Sequence, residues 1–189
     1  MAIKINVNGI AKEFSGGRIN VNGSAKEIQQ VWSNVGGVAK LVWENWKLKT
    51  GNLYAMTANS WNGFVASGSG TIPYKAFDNN VDTDNGNSDG EHLLNLNFPK
   101  PIKIQSMWIR GATGSGNRNM NIIIRIKLAS GSYQDVFTQS YGGNLFDYNQ
   151  TINLNSNIEA YGIQIYHKGH GTGGYGMKEV QITKWYEKG

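Results

Sequence analysis

The sequence predicts an all-β protein: an antiparallel β-sandwich preceded by a small module of β-hairpin repeats. Three observations carry that prediction. Apolar residues recur with a period of two in short runs, 25 glycines and many Asn, Ser and Thr residues supply turns between them, and the opening of the chain repeats itself around Asn-Gly pairs. No long helices are expected.

The repeats come first. NVNGIAKE at Asn6 to Glu13, NVNGSAKE at Asn20 to Glu27 and NVGGVAKL at Asn34 to Leu41 recur with a period of 14 residues. Each sets Asn-Gly or Gly-Gly between alternating runs. Both central residues of a tight hairpin turn need positive φ, which these types tolerate, so three hairpins are expected. A lone hairpin is marginal in water and too small to bury its apolar face. The apolar load of Val31, Trp32, Val35, Val38, Leu41, Val42, Trp43 and Trp46 therefore needs neighbours. These are sister copies in a closed ring such as a trimer, or the sandwich itself. Residues 1–49 are read as a docking and oligomerisation module, with KLKTGN at Lys47 to Asn52 as the joint.

Residues 50–189 carry the sandwich. Leu94, Leu96 and Phe98 share one strand face; Ile102, Ile104 and Trp108 share the next, with Pro99 and Pro101 breaking the run between two strands. Asn121 to Leu128 is the clearest strand, with Ile122, Ile124, Ile126 and Leu128 facing the core. Shorter runs follow at Tyr133 to Thr138 and Thr151 to Leu154. Tyr161, Ile163 and Ile165 line one face, and Val180 and Ile182 alternate with Glu179 and Gln181. Eight or so strands in two antiparallel sheets account for the pattern.

Size and composition narrow the function. At 189 residues there is room for one sandwich and an appendage. The absence of cysteine excludes disulfides, thiolate metal sites and a Cys nucleophile. MAIKINVNG alternates instead of forming an apolar core, and no stretch approaches ~18 apolar residues, so neither a secretory signal nor a membrane span is expected. The net charge of +5 is dispersed, without a basic stripe interleaved with aromatics, which disfavours nucleic acid. It suits anionic cell-wall polymers, or solubility alone.

Between Tyr74 and Arg110 the chain reads YKAFDNNVDTDN, then EHLLNLNFPKPIKIQSMWIRG. The order of Ala-Phe-Asp, a nearby Thr, an alternating strand and Lys-Pro-Ile-Lys-Ile, followed by YGIQIY at Tyr161 to Tyr166 and MKEVQI at Met177 to Ile182, resembles the discoidin, or coagulation-factor type C, family over roughly residues 52–187. The resemblance implies a galactose-binding-like jelly-roll sandwich. The sequence departs from the family pattern where an Asp-Gly turn reads Asp78-Asn79, where a strand-end Asp-Leu-Gly reads Asn97-Phe98-Pro99, and where a Trp after the Thr is missing.

The resemblance also implies calcium, held by the side chains of Asp78, Thr83 and Glu179 and by carbonyls near Lys75 and Asn80. Such an all-oxygen set suits a hard cation. The alternative is that Asp78-Asn79-Asn80 is an Asx-type turn and Glu179 a solvated strand residue; Asp82, Asp84 and Asp89 add negative charge beside them. For a glycan, a flat aromatic and fixed polar groups on loops are needed. Trp61 in NSWNGF, Arg118 in GATGSGNRN, and His170 and Tyr175 in YHKGHGTGGYG, with His167 beside them, meet that description, the alternative for each being local loop packing. Catalysis is not expected. The carboxylates crowd into one turn instead of facing each other across a cleft, no Gly-x-Ser-x-Gly elbow is present, and His167 with His170 falls short of a three-ligand zinc site.

Short repeats with Val-Gly-Gly and an aromatic nearby are similar to those in tail proteins of bacteriophages infecting Gram-positive bacteria. That similarity implies a non-catalytic virion protein of a phage or prophage tail, which docks to other virion proteins through its repeats and binds host cell-surface polysaccharide through its sandwich. Loss of cell binding in Trp61→Ala is expected on that reading. The alternative is a structural virion component whose sandwich contacts other virion proteins and binds no sugar. A free bacterial carbohydrate-binding module is disfavoured by the lack of an export signal.

Overall fold

The structure is a computed structural model. It describes residues 4–7, 10–13, 18–21, 24–28, 30–35, 38–68, 72–83, 91–113, 120–141, 147–169 and 175–189. The chain divides into two compact units, Met1–Lys47 with Lys188–Gly189, and Leu48–Glu187.

In the first unit the repeats form three separate two-stranded sheets: β1 (Lys4–Val7) with β2 (Ile10–Glu13), β3 (Arg18–Val21) with β4 (Ser24–Glu27), and β5 (Gln30–Val35) with β6 (Val38–Glu44). The innermost pairs are Val7 with Ile10, Val21 with Ser24 and Val35 with Val38, each enclosing two residues of the Asn-Gly or Gly-Gly type. Trp32 is 55% exposed. Glu44 accepts from Gln30, Trp46 and Lys188, and the Lys188 ammonium lies 5.2 Å from the Trp46 ring centroid.

The second unit is built around one long strand. After β7 (Trp46–Thr50), β8 (Ser60–Trp61) and β9 (Phe64–Gly68) come a 3-10 helix (Pro73–Phe77), β10 (Glu91–Thr113), β11 (Met120–Lys127), β12 (Tyr133–Tyr141), β13 (Asp147–Asn153), β14 (Ala160–Gly169) and β15 (Tyr175–Lys188). The first half of β10 pairs with β14 on one side and β9 on the other, in a layer that continues through β11 to β12. Its second half pairs with β13 and β15, in a layer that continues to β7. The ladder to β14 lapses between Asn97 and Ile102. Pro99 and Pro101 fall in that gap, where a missing N–H costs nothing. The prolines expected to end one strand and start another instead mark where a single strand passes between layers.

Leu94, Leu96, Ile122, Ile124, Ile126, Ile163 and Ile165 from the first layer meet Ile104, Met107, Ile109, Ile152, Val180 and Ile182 from the second in one core cluster. Two expected core residues lie elsewhere. Trp108 is only half-buried, and Met107 and Ile109 occupy the core in its place. The cause is a β-bulge: the register with β15 shifts between Ile104 and Ser106, so one extra residue inverts the inward phase of β10. Tyr161 is 36% exposed, while its neighbour Ala160 is buried opposite Ile102.

Met107→Ala is expected to cost roughly 2–5 kcal/mol of stability in urea unfolding, as buried truncations do. Trp108→Ala should cost less. A larger loss at Trp108 would return that residue to the core.

Candidate functional site

The position of the Asp78 loop follows from how Phe77 is buried. Pro73 opens the 3-10 helix, and Ala76 and Phe77 are fully buried at its end. The Phe77 carbonyl accepts from the Met56 N–H at 2.9 Å, and its ring packs edge-on against Tyr54 at 5.7 Å. Asp78 therefore leaves the core at a defined point. The next residue, Asn79, has φ +61. The departure of Asn from the family's Gly is accommodated there, because Asn is among the few non-glycine types that adopt this conformation readily.

Asp78 Oδ1 accepts from the Asn80 N–H at 2.9 Å, and Oδ2 lies 2.8 Å from the Thr83 hydroxyl. That hydroxyl also lies 2.9 Å from the Asn80 carbonyl and 3.5 Å from the Lys75 carbonyl. One hydroxyl has one proton for three acceptors. Glu179 comes from β15 on the opposite side, where its Oε2 also accepts from the Asn80 N–H at 2.9 Å and its Oε1 from Gln181 Nε2 at 2.8 Å. Asp78, Thr83 and Glu179 are thus brought together with the two carbonyls. An excess of oxygen lone pairs around one point is what a hard cation resolves, so these residues fit calcium.

Glu179 is fully buried, not a solvated strand residue. Burial, and then the neighbouring Asp78 carboxylate, push its pKa up to about 8. Gln181 Nε2 also donates to Asn79 Oδ1, which accepts from Asn52 as well. Both faces of β15 are consequently covered, one by the core and one by this loop. Asp82 is exposed, with its N–H on Asn80 Oδ1; Asp84 and Asp89 lie outside the described residues. Among the described residues no three His, Asp or Glu side chains form a metal-ligating group. The set depends on hydroxyl and carbonyl oxygens as much as on carboxylates.

Of the expected sugar contacts, Trp61 and the backbone of Tyr175 lie within the described residues. Arg118 and His170 lie outside the described residues, and Tyr175 is the first residue of β15, its side chain outside them too. The strand ends flanking them gather at one end, since Thr113 pairs with Tyr175, Met120 with Gly169 and with Tyr141, and Ala112 with Asp147. Just inside that end, on the core-facing side of β10 and β14, His92 and His167 are buried as a cross-strand pair with ring centroids 5.2 Å apart. His167 is therefore a strand residue and not a loop candidate. Burial and the His92 ring lower its pKa to about 3.

Trp61 stands at the other end. It precedes Asn62 and Gly63, at φ +46 and φ +81, in a two-residue hairpin turn that leads into β9. Val65 pairs with Asn97, six residues along β10 from Glu91, or about 20 Å at the rise of a strand. Trp61 is half-buried against Phe64, whose own ring helps line an apolar pocket of about 170 Å³ with Leu53, Phe98, Pro99, Lys100 and Ile102. Trp61 therefore stands at the opposite end from the β15 end at Tyr175.

No protein-family model and no curated protein matches this sequence. Solved structures do resemble it. Chitosan-binding module 1 of a chitosanase/glucanase from Paenibacillus sp. IK-5 is 17% identical with a TM-score of 0.51, over 74% of this chain and 100% of that one. The family 32 carbohydrate-binding module of Clostridium perfringens NanJ, solved in complex with galactose, is 24% identical with a TM-score of 0.49, over 66% of this chain and 94% of that one. A pectin-binding carbohydrate-binding module is 15% identical with a TM-score of 0.49, over 71% and 91%. At these identities the likeness speaks to fold alone, and the fold is the antiparallel β-sandwich found in carbohydrate-binding modules.

Proposed function

We propose that this protein is a non-catalytic glycan-binding protein of a phage or prophage tail, engaging host cell-surface polysaccharide through the sandwich and other virion proteins through its repeats. The observation that carries the glycan part is the register. It gathers the strand ends flanking Arg118 and His170, with Tyr175 among them, at one end of a sandwich whose fold resembles that of a chitosan-binding module. Loops at one end supply the polar groups and the aromatic that a pyranose needs. The virion part rests on the repeats, whose resemblance is to tail proteins.

Labelled protein titrated onto Gram-positive cells and their purified wall polysaccharides tests this. Strain-selective binding that free polysaccharide competes away is expected, with Arg118→Ala and His170→Ala each losing about tenfold in affinity, the equivalent of one good contact. A short oligosaccharide should be indifferent to Trp61→Ala, whereas a long chain reaching the far end loses affinity. Absence of binding to every strain would leave a structural virion role.

Calcium is proposed to be held by Asp78, Thr83, Glu179 and the Lys75 and Asn80 carbonyls. Its part is structural: it supplies the positive charge that fastens the loop to β15. Calcium should raise the unfolding midpoint, since a ligand bound only to the native state stabilises it by about 2.7 kcal/mol at a hundred times its Kd. Asp78→Ala should abolish the rise. In chelator, the pKa of Glu179 in the folded protein, about 8, stands above its ordinary value of 4.5. The folded state then holds a proton that the unfolded chain releases. That contribution is complete below pH 4.5 and is lost as pH rises through about 8. The chelated protein should weaken over that range, Glu179→Gln should not, and the gain from calcium should widen. Identical midpoints with calcium and chelator at pH 8 would remove the site.

The repeat module is proposed to assemble homo-oligomers, with a trimer as the closed ring. Three isolated two-stranded sheets and a Trp32 that is 55% exposed favour a partner. Sedimentation should give a trimer mass for the full chain, and Trp32→Ala should shift it toward monomer; a monomer at all concentrations would refute this.

A further inference from the structure

The outer face of the β12-β11-β14-β10-β9 layer carries an arrangement that the loop-centred reading leaves unused. Three rows of side chains cross it. Leu93, Tyr166, Ile123 and Thr138 form the first row. Ser67, Asn95, Gln164, Arg125 and Asp135 form the second. Val65, Asn97, Gly162, Lys127 and Tyr133 form the third.

Solvated strand faces usually carry long side chains that stand off into water; here they lie flat and hold one another. Arg125 donates to Asp135 Oδ1 and to Gln164 Oε1, each at 2.8 Å, with its guanidinium 5.8 Å from the Tyr166 ring centroid. Gln164 Nε2 donates to Asn95 Oδ1 at 2.9 Å, and the Tyr133 hydroxyl reaches the same oxygen from three strands away, at 3.4 Å. The phenol ring is thereby stretched along the sheet.

Lys127 crosses the same face beside Gly162. A Cβ there would stand 2.6 Å from the Leu96 carbonyl and 3.3 Å from Asn97 Oδ1. Its absence leaves a notch in β14, over which Lys127 passes to donate to Asn97 Oδ1 at 2.8 Å. Tyr133 remains 38% exposed, with Leu93 at 36% and Val65 at 42%, half of the six large apolar side chains exposed among the described residues. The surface is a held aromatic ring beside amides whose orientations are fixed. That is the chemistry of a sugar platform, an apolar face to stack on and preset hydrogen-bonding groups beside it.

Charge selects the sugar. Arg125 is matched by Asp135, but Lys127 reaches only a neutral amide and forms no ion pair among the described residues. We propose that this face is a second glycan-contact surface, distinct from the loop-bearing end, for a polysaccharide of pyranose rings bearing carboxylates. Tyr133 stacks on a ring, Lys127 pairs with a carboxylate, and the Asn95 amide bonds hydroxyls. The inference rests on the glycan-binding reading above.

The full-length protein is titrated calorimetrically with polygalacturonate, alginate and hyaluronate, with neutral galactan as control, in low and high salt. At least one polyuronate should bind, more weakly in high salt. Tyr133→Ala should lose about tenfold, the size of one stacking contact, while Tyr133→Phe keeps most of the affinity. Lys127→Gln should lose the salt dependence. Unchanged thermal midpoints confirm that these surface variants are folded. Failure to bind any of the three polyuronates overturns the proposal. So does binding indifferent to both Tyr133→Ala and Lys127→Gln, and if Arg118→Ala or His170→Ala abolishes that binding, the loop-end reading survives alone. Binding lost in the face variants and kept in the loop variants upholds this surface against the loop end.

Discussion

The sandwich depends on the passage of β10 from one layer to the other. Its 23 residues give the first layer a partner for β14 and β9 and the second a partner for β13 and β15. Everything that positions a site is referred to it: the strand ends that flank Arg118 and His170, the far end that carries Trp61, and Arg110 opposite Glu179. The crossing costs little, because the prolines sit where the ladder has already lapsed and Phe98 between them and Asn97 is still buried.

Much of this could be read from residue order. Period-two runs located the core strands, and Asn-Gly and Gly-Gly pairs located the hairpins, because both signals are local and steric. Trp108 was misread because phase is inherited from the previous residue, and a bulge at Gln105 changes it without any mark in the apolar pattern. Glu179 was legible as a ligand only through family resemblance. Its burial comes from a loop a hundred residues earlier, which no neighbouring residue announces. The flat face was missed for the same reason: Tyr133 meets Asn95, and Lys127 meets Asn97 across Gly162, on strands far apart in sequence. A hint was present in the outward positions of β10 and β14, where the amides Asn95, Asn97 and Gln164 and the aromatic Tyr166 replace the usual Lys and Glu.

The Asp78 loop and the flat face represent two ways of handling polar groups at a β surface. In the first, carboxylate and carbonyl oxygens converge with too few protons, and burial raises the pKa of Glu179. In the second, donors meet acceptors across four strands, with Asn95 Oδ1 taking both Gln164 and Tyr133 and Arg125 holding both Asp135 and Gln164, so the geometry is fixed. The first arrangement is the basis for the calcium proposed there, whereas the second leaves Lys127 without an ion pair among the described residues.

The route of β10 also bears on how the sandwich is made. Its partners lie on either side in sequence, from Val65 to Glu187, so neither layer can be completed until nearly the whole unit has been synthesised. Contacts this distant favour slow, concerted folding, since chain closure must precede any gain from pairing. A strand common to both layers likewise couples them: withdrawing β10 from one layer removes a partner from the other.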